Sequence, residues 1–324
     1  LLSIQFTLAA FARLLALSRK NRYALIQVHN MPDYLVFAGV LHRLMGRPLV
    51  LDLHDLSVER FQSKWSGNKS AILLPIVKLT EKFCCWMANA VITTSQGFKD
   101  RLLGRGIPED KITLVLNTAD PNIFEYQADR EFLPIERGAR LLYHGTVAER
   151  FGLLTAIEAV AHLQKTVPGS QLNIYGKYDP SFRQALEARI DELGLKGLVI
   201  LHGMKSLEEI NGIIHQTDIG IVPYLSDEFM NLALSTKTFE YAATGLPTVA
   251  SRVNSLTGLF DDECICYAVP GDAKSLAERI AWLCGHPERR QSQAVKARAA
   301  LSEIGYSVMI GRYLNLMKRL MEGG

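Results

Sequence analysis

Short apolar runs alternate with segments of helical period along almost the whole chain. In the first half, Leu25–Val28, Pro48–Leu53, Ala90–Thr93 and Ile112–Val115 read as strands, with helices near 33–45, 70–88 and 97–104 between them. In the second half the strands are Arg140–His144, Gln171–Tyr175, Leu198–Leu201, Asp218–Val222, Pro247–Ala250 and Cys264–Ala268. Helices fall near 153–166, 181–193, 206–215, 235–244 and 272–284, and Leu153, Ile157, Val160 and Leu163 mark one apolar face of the first of these. Repeated strand–helix units predict an α/β chain with parallel sheets covered on both faces.

The pattern breaks at 117–139. Asn117-Thr118-Ala119-Asp120-Pro121-Asn122 is a turn cluster, and the residues up to Gly138 are charged and aperiodic. The expected organisation is a first domain at 1–135, a second at 136–304 and a terminal helical segment at 305–324. That last helix carries Met309, Tyr313, Leu316, Met317 and Leu320 on one face and can pack back on the first domain.

Composition narrows the classes. The 324 residues are 48% hydrophobic and 21% charged, which excludes a disordered or fibrous chain. Thirty-six basic against 33 acidic residues leave a net charge of +3, too balanced for a protein that coats nucleic acid. Five scattered cysteines read as reduced thiols of a cytoplasmic protein, and Cys264-Ile265-Cys266 as strand residues rather than a metal site. No apolar stretch is long enough to span a bilayer. Residues 1–18 form an apolar helix with Arg13, followed by Arg19, Lys20 and Arg22. A core helix with a solvated basic end explains this segment, and peripheral contact with an anionic membrane surface is the alternative.

Three groups could carry chemistry. The segment Ser235 to Pro247 reads as one helix, with Ser235 or Thr236 as N-cap, Gly245 as stop and Pro247 beyond it. Its free amides suit a phosphate, and Lys237 and Glu240, three apart, suit a diphosphate and a ribose. A solvated Lys–Glu pair on a surface helix is the competing explanation. His144 to Gly152 joins a strand to a helix, with Gly145 and Gly152 for close backbone approach and Arg150 for a diphosphate, or is an ordinary turn with an exposed arginine. His29-Asn30 and Asp52-Leu53-His54-Asp55 end two strands, where an open parallel sheet binds its ligands. No GxSxG, HExxH or DxD motif is present, so no metal centre is expected.

Several segments together resemble the retaining glycosyltransferases of family 4. They include Val91-Ile92-Thr93-Thr94-Ser95, Arg105-Gly106-Ile107-Pro108, Leu116 to Phe124, His144-Gly145, Ile174-Tyr175-Gly176-Lys177, Leu201-His202-Gly203, Thr217-Asp218-Ile219-Gly220, Lys237 to Ser251 and Val269-Pro270-Gly271-Asp272. The resemblance implies a GT-B fold: two Rossmann-like parallel-sheet domains facing a cleft. The first would be incomplete here, with the strand at 25–28 on an open sheet edge, because the chain opens in a helix.

It also implies transfer of a hexosyl group from a nucleoside-diphosphate sugar to a glycan or lipid-linked acceptor, with no resident cofactor or metal. By that resemblance Glu240 binds the donor ribose, and Gly145, Arg150 and Lys237 approach the diphosphate. Met204 and Lys205 line the base, His54 stands at the transferred sugar as the catalytic candidate, and His29 and Asn30 flank the acceptor side. Two departures stand out. The family's first donor-motif glutamate is replaced by Leu232, which leaves Asp227 or Glu228 for the sugar, and its phosphate-binding Arg and Lys fall near Thr146 and Phe151. A non-catalytic donor-binding partner and a nucleotide-sugar 2-epimerase are the rival readings.

Overall fold

The computed structural model describes residues 2–64 and 68–322. Leu1, at the head of the expected first helix, and residues 323–324 of the expected 305–324 segment lie outside the described residues. In chain order the elements are α1 (Leu2–Ser18), β1 (Ile26–His29), α2 (Val40–Leu44), β2 (Leu49–Leu53), α3 (Ser57–Lys64), α4 (Asn68–Met87), β3 (Ala90–Thr93), α5 (Gln96–Gly104) and β4 (Ile112–Leu114). There follow β5 (Arg140–Val147), α6 (Leu153–Leu163), β6 (Gln171–Tyr178), α7 (Pro180–Glu192), β7 (Val199–His202), α8 (Leu207–His215), β8 (Ile219–Val222), α9 (Thr236–Thr244), β9 (Thr248–Ser251), α10 (Asn254–Thr257), β10 (Cys266–Ala268), α11 (Ala273–Gly285), α12 (Pro287–Ile304) and α13 (Tyr306–Glu322). The chain divides into two compact units. One comprises residues 1–117, 232–234 and 309–324, and the other 118–231 and 235–308.

The first unit holds a four-stranded parallel sheet in the order β1-β2-β3-β4, so β1 is an edge strand. β2 and β3 are buried along their whole length, as expected of central strands in a covered parallel sheet. The apolar face of α13 closes one side: Leu316 and Met317 pack on Val50, Ala90 and Ile92, with Tyr313 and Leu320 beside them. Ser95 starts α5 by accepting a hydrogen bond from the Phe98 amide at 3.1 Å, a cap worth about 1 kcal/mol.

The second unit holds a six-stranded parallel sheet in the order β10-β9-β8-β5-β6-β7. Leu153, Ile157, Val160 and Leu163 of α6 are all buried in its core. Asp179, Ser206 and Asp272 cap α7, α8 and α11 through their side chains, and Ser206 with Glu209 makes a reciprocal capping box.

The periodicity misplaced some elements. The expected helix at 33–45 is a 3-10 turn at Asp33–Gly39 followed by the short α2. The strand expected to open at Cys264 begins at Cys266. α3 and α12 were not legible as helices. α12 turns Arg290, Gln293, Ala294 and Ala297 inward, so its buried face has no large apolar side chain to set a period. Gln293 is committed to the Thr248 amide at 2.9 Å. Gly305, in an extended conformation, separates α12 from α13, and a Cβ there would lie 2.3 Å from the Leu301 carbonyl oxygen.

Candidate functional site

In the second unit, the carboxyl end of β5 and the first turns of α9 come together. The strand continues past His144 to Val147, so Gly145 is a strand residue paired with Gly176, not the start of a loop. Gly145 has φ 116°, and a Cβ at Gly176 would lie 1.8 Å from the Gly145 carbonyl oxygen. Only glycine at both positions permits this approach. Gly152 has φ 66°, and a Cβ on it would lie 1.8 Å from the carbonyl oxygen of Pro223, just beyond β8.

α9 is buried, which excludes the solvated Lys–Glu pair. Lys237 and Glu240 turn to separate partners. Glu240 Oε2 lies 3.0 Å from His144 Nε2. The Lys237 ammonium donates to the Tyr224 hydroxyl at 2.8 Å and sits 4.9, 5.5 and 4.9 Å from the ring centres of Tyr143, Phe151 and Tyr224. It also lies beside Gly145, 3.6 Å from where a Cβ would stand. Among its described contacts no carboxylate offsets its charge. A buried ammonium with a single hydrogen bond is costly unless an anion completes it.

Ser235 occupies the N-cap position of α9 without making a side-chain capping bond. Its hydroxyl and that of Thr238 are buried and have no hydrogen-bond partner. The helix N-terminus therefore presents backbone amides, two unused hydroxyls and the adjacent ammonium, all of which favour negative charge. Gly245, with φ 72°, ends the helix as expected.

The other expected second-unit residues are more peripheral. Arg150 stacks its guanidinium over the Phe229 ring at 5.2 Å. Met204 is exposed, and Lys205 pairs with Glu209 at 2.7 Å. Beside them, Tyr175 and His202 stack with ring centres 4.1 Å apart, and burial lowers the pKa of His202. Asp227 accepts from the Met230 amide within its own turn.

In the first unit, His29 and Asp52 are register partners on β1 and β2. His29 Nδ1 lies 3.1 Å from His54 Nε2 and 3.2 Å from Asp52 Oδ2. The carboxylate is anchored from behind: Gln27 Nε2 donates to Asp52 Oδ2 at 3.0 Å, and the Tyr313 hydroxyl donates to Gln27 at 2.6 Å. Asn30 is already occupied. Its amide donates to Asp33 and to the Asp55 carbonyl and accepts from the His54 amide, so it braces the His54 backbone rather than standing open. Thr94 donates to the His54 carbonyl at 3.0 Å. Beside Asn30 a cavity of 340 Å³ is lined by Met31, Tyr34, Phe61, Ile76 and Val77 among others.

The sequence placed His144 and Asp52 within candidate segments but gave neither a role, and it missed Tyr143 and Tyr224 as parts of these sites. Nothing local marks the two tyrosines.

Two family profiles cover most of the chain. Residues 138–286 match "Glycosyl transferases group 1", and residues 2–118 match "Glycosyl transferase 4-like domain". The chain belongs to the family-4-like, group 1 glycosyltransferases. A glycogen synthase of Mycobacterium tuberculosis is 28% identical over 279 residues, 83% of this chain and 63% of that enzyme. The chain thus spans less than two thirds of that curated relative. Among solved structures, a sucrose-phosphate synthase from Thermosynechococcus elongatus aligns with TM-score 0.72 at 20% identity, covering 97% of this chain and 78% of that one. Anabaena HepE, solved with UDP and glucose, aligns with TM-score 0.73 at 17% identity, covering 96% and 80%. The chain therefore has the GT-B fold, built of two parallel-sheet α/β units.

Proposed function

We propose that this glycosyltransferase moves a hexosyl group from a nucleoside-diphosphate sugar to a glycan or lipid-linked acceptor, with retention of anomeric configuration. The observation that carries the reading is the Lys237 ammonium, with no carboxylate among its described contacts, beside Gly145 and the amide-rich start of α9. Lys237, the helix N-terminus and Ser235 would take the diphosphate and stabilise the charge that grows on it as the glycosidic bond breaks. Glu240, an acceptor-only group, would receive both ribose hydroxyls, with His144 fixing its orientation. Arg150 would approach the diphosphate, and Met204 and Lys205 the base. In the first unit His54, pinned through its amide and its carbonyl, would contact the transferred sugar, and His29 would flank the acceptor.

Departure of the diphosphate is assigned to these fixed charges, with no metal and no resident cofactor in the proposed step. The apolar cavity beside Asn30 suits the hydrocarbon part of a lipid-linked acceptor. Among the described residues no helix is long and apolar enough to cross a membrane. The proposed setting is cytoplasmic, with peripheral contact at a membrane surface through the first unit and work in polysaccharide biosynthesis.

A panel of nucleotide sugars, starting with UDP-glucose, tests the reading by melting temperature and by release of nucleoside diphosphate. One donor should stabilise the fold, and its diphosphate should appear only with an acceptor. Stabilisation without release for any acceptor would favour a binding subunit, and recovery of a C2-inverted sugar an epimerase.

A further inference from the structure

We propose that His29, Asp52 and His54 form a binding site for one divalent transition-metal ion, with zinc the best match. Sheet register brings the first two donors together. β1 and β2 run parallel with His29 opposite Asp52, at the carboxyl ends of both strands. His54 follows Asp52 by two residues, in the bend just past β2, and its ring stacks on that of His29 with centres 5.4 Å apart. Three donor groups therefore converge at the carboxyl ends of the two strands.

The distances suit a shared ion. His29 Nδ1 is 3.1 Å from His54 Nε2 and 3.2 Å from Asp52 Oδ2, and His54 Nε2 is 3.7 Å from Asp52 Oδ1. Tetrahedral zinc with bonds of about 2.0–2.2 Å separates its ligand atoms by roughly 3.3–3.6 Å. Small side-chain shifts bring all three onto one ion. Two imidazoles and one carboxylate suit zinc, whereas magnesium and calcium prefer oxygen donors throughout.

The surroundings resemble a supported site. Asp52 is buried, and its Oδ1 has no hydrogen-bond partner. Its other oxygen is oriented by Gln27, which Tyr313 orients in turn, an outer layer of the kind that holds metal ligands in place. Both imidazoles are open to solvent, which provides an entry path and a fourth position for water. On binding, each imidazole would be neutral and carry its proton on the nitrogen away from the ion, His29 on Nε2 and His54 on Nδ1. Among the described residues no other group of three His, Cys, Asp or Glu side chains converges in this way, and all five cysteines are buried.

A bound ion would occupy Nε2 of His54, the residue proposed above to contact the transferred sugar, so zinc should inhibit transfer. That consequence rests on the proposed function, but the binding itself does not.

The test is calorimetric titration of zinc chloride into the chelator-stripped full chain, with cobalt(II) absorption as a second readout. One ion per chain and a tetrahedral cobalt spectrum are expected. His29→Ala and Asp52→Asn should each weaken binding by ~10-fold or more, while His286→Ala, remote in sequence, leaves it unchanged. His29→Gln, at an exposed position, is the alternative if Asp52→Asn fails to fold. Absence of stoichiometric binding, or equal affinity in the His29 variants, overturns the site. Zinc binding that leaves transfer unaffected would support the site and count against the role given to His54.

Discussion

His144 Nε2 and Glu240 Oε2 stand 3.0 Å apart, linking the central strand β5 to the second turn of α9. Both residues are buried, and among the described residues neither facing atom is satisfied by a hydrogen bond, so the carboxylate keeps acceptor capacity for a ligand. Glu240→Gln keeps the shape and removes the charge. Donor affinity should fall by about 1–3 kcal/mol, the range for hydrogen bonds to a charged group. Calorimetry that finds unchanged affinity would remove Glu240 from the donor site.

His54→Ala should lower turnover more than donor affinity, because its imidazole belongs to the first unit while the groups proposed for the diphosphate belong to the second. Steady-state kinetics beside nucleotide titration separate the two effects. Equal losses in both would contradict the assignment to the sugar.

Gly152 is fixed by sterics. Its φ of 66° costs a residue with a Cβ roughly 1–2 kcal/mol. The added carbon would also stand 1.8 Å from the Pro223 carbonyl oxygen. Gly152→Ala should therefore lower the melting temperature by at least several degrees. Gly212→Ala, in helix α8 with open space around it, should raise stability slightly. A Gly152→Ala protein that melts like the parent would refute the steric argument.

Glu59 and Glu81 are buried and share Arg105. Burial pushes the Glu81 carboxyl up to about 7 despite the neighbouring guanidinium. Its folded pKa thus lies above the unfolded value of about 4.3. The stability linked to its proton is complete below that unfolded value and is lost as pH rises through about 7. Glu81→Gln abolishes this loss. The melting temperature of the variant relative to the parent should be higher at pH 8 than at pH 5, and an equal difference at both would rule the linkage out.

α4 exposes Ile72, Ile76, Leu79, Phe83 and Trp86 at helical spacing, and its exposed charges on that stretch are Lys78 and Lys82. Lys111, bonded to the Trp86 carbonyl, adds positive charge near its end. α1 exposes Ile4, Phe6 and Leu8 ahead of Arg13, Arg19, Lys20 and Arg22. The protein should co-sediment with anionic vesicles at low salt and release as salt rises. Phe83→Ser with Trp86→Ser should weaken this binding, and failure of the parent to sediment would end the membrane proposal.

The sequence by itself determined the α/β class, the places of most strands along the chain, the α9 boundaries to within a residue and several glycines that the backbone requires. These are local properties. Buried parallel strands demand continuous apolar runs such as Leu49–Leu53, and a left-handed stop demands a residue such as Gly245. The tertiary structure alone decided which polar groups meet. Lys237 and Glu240 share a spacing that suits a surface pair, yet docking of α9 sends one to Tyr224 and the other to His144. α12 stayed hidden because it buries arginine, glutamine and alanine, whose fit depends on partners such as Thr248 and Leu133. His29 and His54 could each be read as the end of a strand, but only the register of β1 against β2 puts them on Asp52 together. Side-chain period records which way a residue faces. What it faces is set by pairing between segments far apart in the chain, and a buried polar group must find its partner there.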